Sequence, residues 1–248
     1  MKNNLIMDIG MHKAYDTEFY LKKGFRVVAV EASAGLCEQV STRLKEYLKN
    51  GCLTIVNKAI APIDVKAVSF YINPRKDDWG STHRITAEKG YDVAVETVVE
   101  TTTLHALFDT YGVPYYLKSD IEGADPLLVR QLLVDSRRPT FISIETYSVA
   151  DLNEIDLCGY DRYQVVNQWM HPFVILPNPA LEGNTIDASF NGETSGPFGR
   201  DLPQHRWLNI GECRRRFSLW RELHDLDENL APGWCDIHAC NAVALEGC

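Results

Sequence analysis

The amino-acid sequence predicts an α/β protein: a mostly parallel sheet with helices on both faces. Three observations carry this expectation. Short β-branched runs recur through the first 150 residues, among them Leu5-Ile6-Met7, Arg26-Val27-Val28-Ala29-Val30 and Leu53-Thr54-Ile55-Val56. Segments of helical period separate them. The runs are continuously apolar rather than alternating, which marks strands covered on both faces.

Each element follows in order. Leu5 to Gly10 is a strand that closes on Asp8 and Gly10. Tyr15 to Lys23 reads as a helix, with Phe19, Tyr20 and Lys23 at helical spacing and Gly24 as its stop. Arg26 to Glu31 is the second strand. Residues 35–50 predict a long helix, since Leu36, Val40, Leu44 and Leu48 recur every four residues before Asn50-Gly51. Residues 53–57 are the third strand. Val65 to Ile72 and Val93 to Val99 alternate as an added strand pair would, with a charged loop over 73–92 between them. A helix over 104–111, a strand over 115–120, a helix over 124–134 and a strand over 140–145 complete the rhythm to about residue 146. Beyond it, Arg162 to Asn167 reads as a strand, Leu219 to Leu230 as a helix and Trp234 to Ala239 as a closing strand. Residues 183–203 hold Gly183, Gly192, Gly196, Pro197, Gly199 and Pro203 with little periodicity. So long an aperiodic stretch predicts a functional loop, here a lid or acceptor loop.

Composition narrows the function. A chain of 248 residues, 45% hydrophobic, can bury a full core without disulfide or metal staples. It is expected to form one domain over 1–248, with a core over 1–170 and a C-terminal part over 171–248. A formal net charge of -9 disfavours a general nucleic-acid binder, whose affinity rests on neutralising phosphates. No apolar run approaches the roughly 20 residues of a membrane span. Lys2 is the one positive residue before Leu5-Ile6-Met7, and Asp8 cuts that run short, so no signal peptide is expected. The seven cysteines, Cys248 included, are scattered without a CxxC pair, which points to a soluble protein of the reduced cytoplasm. Cys235, His238 and Cys240 lie close together, but a strand there puts Cys235 and His238 on opposite faces, so no metal is expected. Arg214-Arg215-Arg216 reads as a solvated face. Trp207, Phe217, Trp220 and Trp234 read as packing residues.

Two constellations carry chemistry. Asp8 and Gly10 close the first strand, and Glu31 closes the second, 21 residues after Gly10. In an open α/β sheet, a glycine there lets the backbone approach a ligand, and an acid about 20 residues on accepts ribose hydroxyls. The segment Gly10-Met11-His12-Lys13-Ala14 is not a G-x-G-x-x-G turn, which argues against a dinucleotide. The second constellation is Lys118-Ser119-Asp120-Ile121-Glu122-Gly123-Ala124-Asp125, at the end of the fourth main strand. Acids at a helix N-terminus also suit the helix dipole, so capping is the plain alternative.

These residues resemble the FkbM-type S-adenosylmethionine-dependent methyltransferases. The family pattern D-x-G-A-N-x-G-x-x-T matches at Asp8, Gly10 and Thr17, with His12 for Asn and Ala14 for the second Gly. A-F-E-P matches as Ala29-Val30-Glu31-Ala32, and K-x-D-x-E-G-A-E as Lys118, Asp120, Glu122, Gly123 and Ala124, with Asp125 last. Thr102-Thr103-Leu104 stands where the family has T-T-L-D, with His105 for Asp, and Gly80-Ser81 matches a G-S pair. Asn57-Lys58-Ala59-Ile60 looks like the segment that lines the adenine. The resemblance covers residues 4 to about 170. It implies a Rossmann-like class I methyltransferase sheet, parallel but for an antiparallel terminal strand, and S-adenosylmethionine as cofactor. The implied cofactor residues are Asp8, Gly10, His12, Thr17, Glu31, Ala32, Ala59, Ser81, Asp120 and Glu122. Asp8, Asp120 and Glu122 would set negative potential near the sulfonium, Glu31 would bind the ribose, and backbone groups around Gly10 would face the methionine part.

The family acts mostly on oxygen, in sugars, polyketides and other natural products, so a small-molecule or peptide acceptor is implied. An alcohol acceptor needs its proton removed, and a carboxylate does not. Asp120, His83, Glu145 and His171 are the candidate bases. Two other functions compete. A nucleotide-binding oxidoreductase or sugar-nucleotide enzyme uses a similar sheet, and a non-catalytic module would keep the cofactor fold without turnover.

Overall fold

Five buried residues, Leu5–Ile9, form β1. In this computed structural model residues 3–88 and 93–246 are described. The Lys2 segment, the end of the 73–92 stretch and Cys248 lie outside the described residues. After β1 come α1 (Tyr15–Lys22), β2 (Arg26–Val30), α2 (Ala34–Arg43), α3 (Lys45–Lys49), β3 (Leu53–Val56), β4 (Ala59–Ile60) and β5 (Ala67–Ile72). Then follow α4 (Arg84–Glu88), β6 (Val95–Thr102), α5 (Leu104–Tyr111), β7 (Tyr116–Ser119), α6 (Asp125–Val134) and β8 (Phe141–Glu145). The chain continues with α7 (Val149–Leu157), β9 (Arg162–Asn167), α8 (Ile210–Leu226), β10 (Cys235–Cys240) and α9 (Ala242–Leu245).

The main sheet runs β3-β2-β1-β7-β8-β10-β9. Its first five strands are parallel, and β10 is antiparallel to both β8 and β9. The antiparallel strand is thus the last one in the chain, inserted one place in from the edge. Strand order reverses between β1 and β7, and ligands of such sheets bind at that point. Alternate residues feed two cores. Met7, Ile9, Leu117, Ile142 and Ile237 face one side, with α6, α7 and α8 packed there. Ile6, Val27, Tyr116, Phe141 and Cys240 face the other, with α1 and α2. On β10, Cys235 belongs to the first core and Cys240 to the second. A second sheet, β4-β6-β5, adds Phe70 and Ala59 beside Ala32. Among the described residues no helix is long and apolar enough to cross a membrane.

Four features depart from the sequence expectation. The helix expected over 35–50 breaks at Leu44, whose φ of -103° and ψ of 24° leave the helical region. The stretch 73–92 holds α4. A helix absent from the expectation, α7, links β8 to β9. Ser148 caps it, accepting from Asp151 N at 3.2 Å while Asp151 Oδ2 accepts from Ser148 N at 2.9 Å. Helix α8 starts at Ile210 and ends at Leu226 rather than running 219–230, because Asn209 Oδ1 caps Glu212 N at 3.0 Å and Cys213 and Phe217 are buried one turn apart.

Residues 180–203, which include the stretch expected as a lid or acceptor loop, are held in place. They form a strap, nailed to the core by Phe190, Phe198 and Leu202. Phe198 is fully buried, stacks on Tyr116 at 4.7 Å between centroids, and meets Tyr20 and Phe25 edge-on at 5.2 and 5.4 Å. Beside it Lys23 Nζ lies 2.7 Å from Asp201 Oδ2, and both side chains are fully buried. The other Asp201 oxygen accepts from Leu181 N and Glu182 N, so one carboxylate ties both ends of the strap to α1. Deleting the Phe198 ring leaves a cavity among Phe19, Tyr20, Phe25 and Tyr116. Phe198→Ala is expected to cost about 3–5 kcal/mol in denaturant unfolding. A loss below about 1 kcal/mol would mean that the strap is loosely held.

Candidate functional site

The loops after β1, β2, β7 and β8 enclose a cleft of about 470 Å³, within the range of small-molecule sites. At its centre β1 and β7 approach so closely that a Cβ on Gly10 would lie 1.7 Å from the Asp120 carbonyl oxygen. With φ of +88°, Gly10 suits this place on both counts. The turn that follows keeps left-handed backbone without glycine: His12 has φ of 49° and Ala14 of 60°. Gly10 N–H donates to Val30 O at 2.9 Å, so this amide is committed to β2 and not turned to a ligand.

Glu31 ends β2 and is fastened in place. Its Oε2 accepts from His12 N at 2.9 Å and its Oε1 from Ser33 N at 2.8 Å. Burial pushes its carboxyl up, and the two amides draw it back down. Each oxygen keeps a second lone pair for another donor. Ala32, Leu36, Ala59, Ile60 and Phe70 form an apolar wall beside it.

Beneath the turn lies Lys118, on β7, with its side chain 5% exposed. Its ammonium sits 3.4 Å from Asp8 Oδ1, 3.3 Å from Asp16 Oδ2 and 3.8 Å from Asp120 Oδ2, and donates to Gly10 O at 3.4 Å. Burial pushes the ammonium down, but Asp8, Asp16 and Asp120 outweigh it and hold Lys118 charged. Burial raises the Asp8 carboxyl, Lys118 opposes that, and Thr17 Oγ1 donates to Asp8 Oδ2 at 2.5 Å. Asp16 also accepts from Ser195 N at 2.9 Å, which brings the strap to the cleft rim. His171 Nδ1 meets Thr194 O at 2.6 Å from the far side.

The other end of the cleft is acidic. Asp120 and Glu122 follow β7, and Glu145 ends β8. Asp120 does not cap α6, whose N-cap residue is Ala124 and whose Asp125 accepts instead from Ser119 Oγ and Ile121 N. Burial, then the Asp120 charge, pushes Asp125 up to about 7. Burial, then Asp120, Asp125 and Glu122, holds Glu145 well above the usual carboxylate range. Tyr147 and Trp234 line this end, with Gln168 and strap residues Gly192–Ser195.

The structure thus gathers Gly10, His12, Glu31, Ala32, Ala59, Asp120, Glu122 and Glu145 in one cleft. Other expected residues stand elsewhere. Asp8 and Thr17 are fully buried behind the wall, and Asp8 faces Lys118 rather than the cleft. Ser81 is also fully buried, and its hydroxyl donates to Glu122 O at 2.8 Å, supporting that loop. His83 is exposed outside the cleft lining, and His171 is buried beneath the strap, so neither histidine faces the site. Trp234, expected in packing, lines the cleft. Asp16, Lys118 as an ion, Tyr147 and Gln168 also line the cleft, beyond the residues the sequence pointed to. Lys118 had a legible signal, because a lysine inside a continuously buried strand must have partners. Among the described residues no His, Cys, Asp and Glu are grouped to hold a metal ion.

Sheet order, the inserted antiparallel strand and a cleft at the β1–β7 switch define a Rossmann-like methyltransferase fold. Residues 8–171 match the family model described as the Methyltransferase FkbM domain, and the chain belongs to that family. No curated protein matches the chain. Among solved structures it is similar to a precorrin-6y C5,15-methyltransferase from Geobacter metallireducens GS-15. That match has 14% identity and a TM-score of 0.38, and covers 66% of this chain and 67% of the other.

Lys118→Met would leave Asp8 and Asp16 buried without their cation, expected to cost about 3–5 kcal/mol of stability. The sign with pH follows. The Asp8 carboxyl, raised by burial in the folded state, favours folding at low pH and loses that advantage as pH rises through its folded value. The deficit against wild type is therefore expected to shrink between pH 8 and pH 5 in denaturant titrations. A deficit that is constant with pH would show that buried charge is not its cause.

Proposed function

We propose that this protein is an S-adenosylmethionine-dependent O-methyltransferase acting on an alcohol of a small-molecule or peptide acceptor. The observation that carries this reading is the joining, in one cleft, of a pinned ribose-type acid, Glu31, with acids at the ends of β7 and β8. The donor set suits the cofactor: Glu31 has lone pairs left for two ribose hydroxyls, and the apolar wall around Ala59 and Ile60 suits an adenine. Asp120, 31% exposed at its side chain, offers a negative charge for an ammonium or sulfonium. Bound there, S-adenosylmethionine supplies a methyl group on a cationic sulfur, open to displacement.

The chain's residues then have separate tasks. Lys118 holds Asp8, Asp16 and Asp120 in place, and so holds the turn and the loop after β7. Asp120 orients the cationic part of the cofactor. Glu145 receives the acceptor proton, since His83 and His171 do not face the cleft. The strap residues 192–195 and Trp234 wall the acceptor. Such positioning contributes roughly 7–11 kcal/mol to lowering a displacement barrier.

A dinucleotide enzyme fits less well. The first turn of α1 presents Asp16 to the cleft, where a pyrophosphate would need uncommitted amides and no acid. Titration calorimetry with S-adenosylhomocysteine and NAD tests the choice; binding of NAD alone would overturn it. Glu31→Ala is expected to weaken S-adenosylhomocysteine by about 1.5–3 kcal/mol, or roughly 10- to 150-fold in Kd. Wild-type affinity in that variant would remove Glu31 from the site. Once an acceptor is found by transfer of labelled methyl in extracts, Asp120→Asn is expected to lower kcat at least about tenfold. Its melting temperature should stay near wild type, because Asp120 caps no helix.

A further inference from the structure

Glu145 is 7% exposed, yet it lines the cleft at the end of β8. Tyr147, two residues on, donates its hydroxyl to Glu145 Oε2 at 2.5 Å. The ring of Tyr147, 40% exposed, forms the neighbouring wall. One carboxyl oxygen is therefore held by the tyrosine, and the rotation of the group is fixed.

Four acids on three elements face Glu145. Asp120 and Glu122 follow β7, Asp125 opens α6, and Asp236 stands opposite Glu145 in the β8–β10 register. Asp236 is itself pushed up to about 7, by burial first and then by Asp120. Lys118, on β7, lies nearer to Asp16 and Asp8 than to Asp120. Burial, then Asp120, Asp125 and Glu122, raise the Glu145 carboxyl well above the usual carboxylate range, and the Tyr147 hydroxyl acts against them by stabilising the anion. A protonated carboxyl is no base. A cation seated in the same cleft would tip the balance to the anion.

Resting on the methyltransferase reading, we propose that Tyr147 is a positioning residue that aims the Glu145 carboxyl at the acceptor. Glu145, in turn, becomes a base only when a cationic cofactor fills the cleft. On cofactor binding Glu145 releases its proton to solvent. In the transfer, a C–O bond forms as the S–C bond breaks, the electron pair stays on sulfur, and Glu145 takes the hydroxyl proton. The site is then idle towards acceptors until the methyl donor is present, and cofactor precedes acceptor.

The test needs no acceptor. Protein labelled with 13C at glutamate carboxyls is titrated by NMR, and Glu145 is assigned by the signal lost in Glu145→Gln. Titrations are run free, with S-adenosylmethionine, and with S-adenosylhomocysteine, which lacks the sulfonium charge. The Glu145 midpoint is expected to lie at least about one unit lower with S-adenosylmethionine than with S-adenosylhomocysteine. In Tyr147→Phe, the free-protein midpoint is expected to rise by at least about half a unit. Equal midpoints with the two ligands overturn the gating, and an unmoved midpoint in a folded Tyr147→Phe overturns the positioning role. The ligand comparison uses wild-type protein and stands if the variant does not fold. Calorimetry run alongside separates the two levels: failure of both ligands to bind overturns the methyltransferase reading and this proposal with it. Binding of both with an unmoved Glu145 overturns this proposal alone.

Discussion

One buried ammonium organises this protein. Lys118 sits under the crossing of β1 and β7 and neutralises acids from three places: Asp8 on β1, Asp16 on α1 and Asp120 after β7. Bringing three carboxylates together without a cation would force protons onto them or drive the strands apart. The same ammonium holds the Gly10 carbonyl, so the turn that approaches Asp120 most closely is tied to the strand beneath it. Through Asp16 the tie extends to Ser195, and the strap depends on it as well.

The parallel strands were legible because burial on both faces leaves no room for polar alternation. Arg26–Val30 and Phe141–Glu145 read correctly within a residue for that reason. Helix α7 was not legible as a run: only Leu152 and Ile155 of it are buried, too few to set a period, and its reciprocal cap at Ser148 and Asp151 was the signal available. In α8, the Arg214-Arg215-Arg216 run masked a stripe carried by Cys213 and Phe217. Glycines and prolines between 183 and 203 left no period to read, and Phe190, Phe198 and Leu202 hold the stretch down. Gly183 and Gly199 serve close packing, against the Lys23 carbonyl and the Glu182 carboxylate. The site was legible where acids end strands, at Glu31, Asp120 and Glu145. It was not where a residue reaches the cleft by tertiary folding, as Trp234 and Ser195 do.

The substituted first turn shows how a pattern survives a change of residue. His12 and Ala14, which stand where the resembling pattern has Asn and Gly, adopt left-handed backbone at a steric cost of roughly 1–2 kcal/mol for such a residue. The surroundings hold them there: His12 N is bound to Glu31, and Ala14 is fully buried with its N–H on Met11 O.

The place of β10 bears on how the chain is made. Strand β9 pairs with β10 alone in the main sheet, and β8 has β10 as its second neighbour. During synthesis, both strands wait with bare edges until residues 235–240 have left the ribosome. A nascent chain at that stage presents two unpaired strand edges to other chains, a hazard for edge-to-edge association. Insertion of one short strand covers the facing edges of β8 and β9 at once.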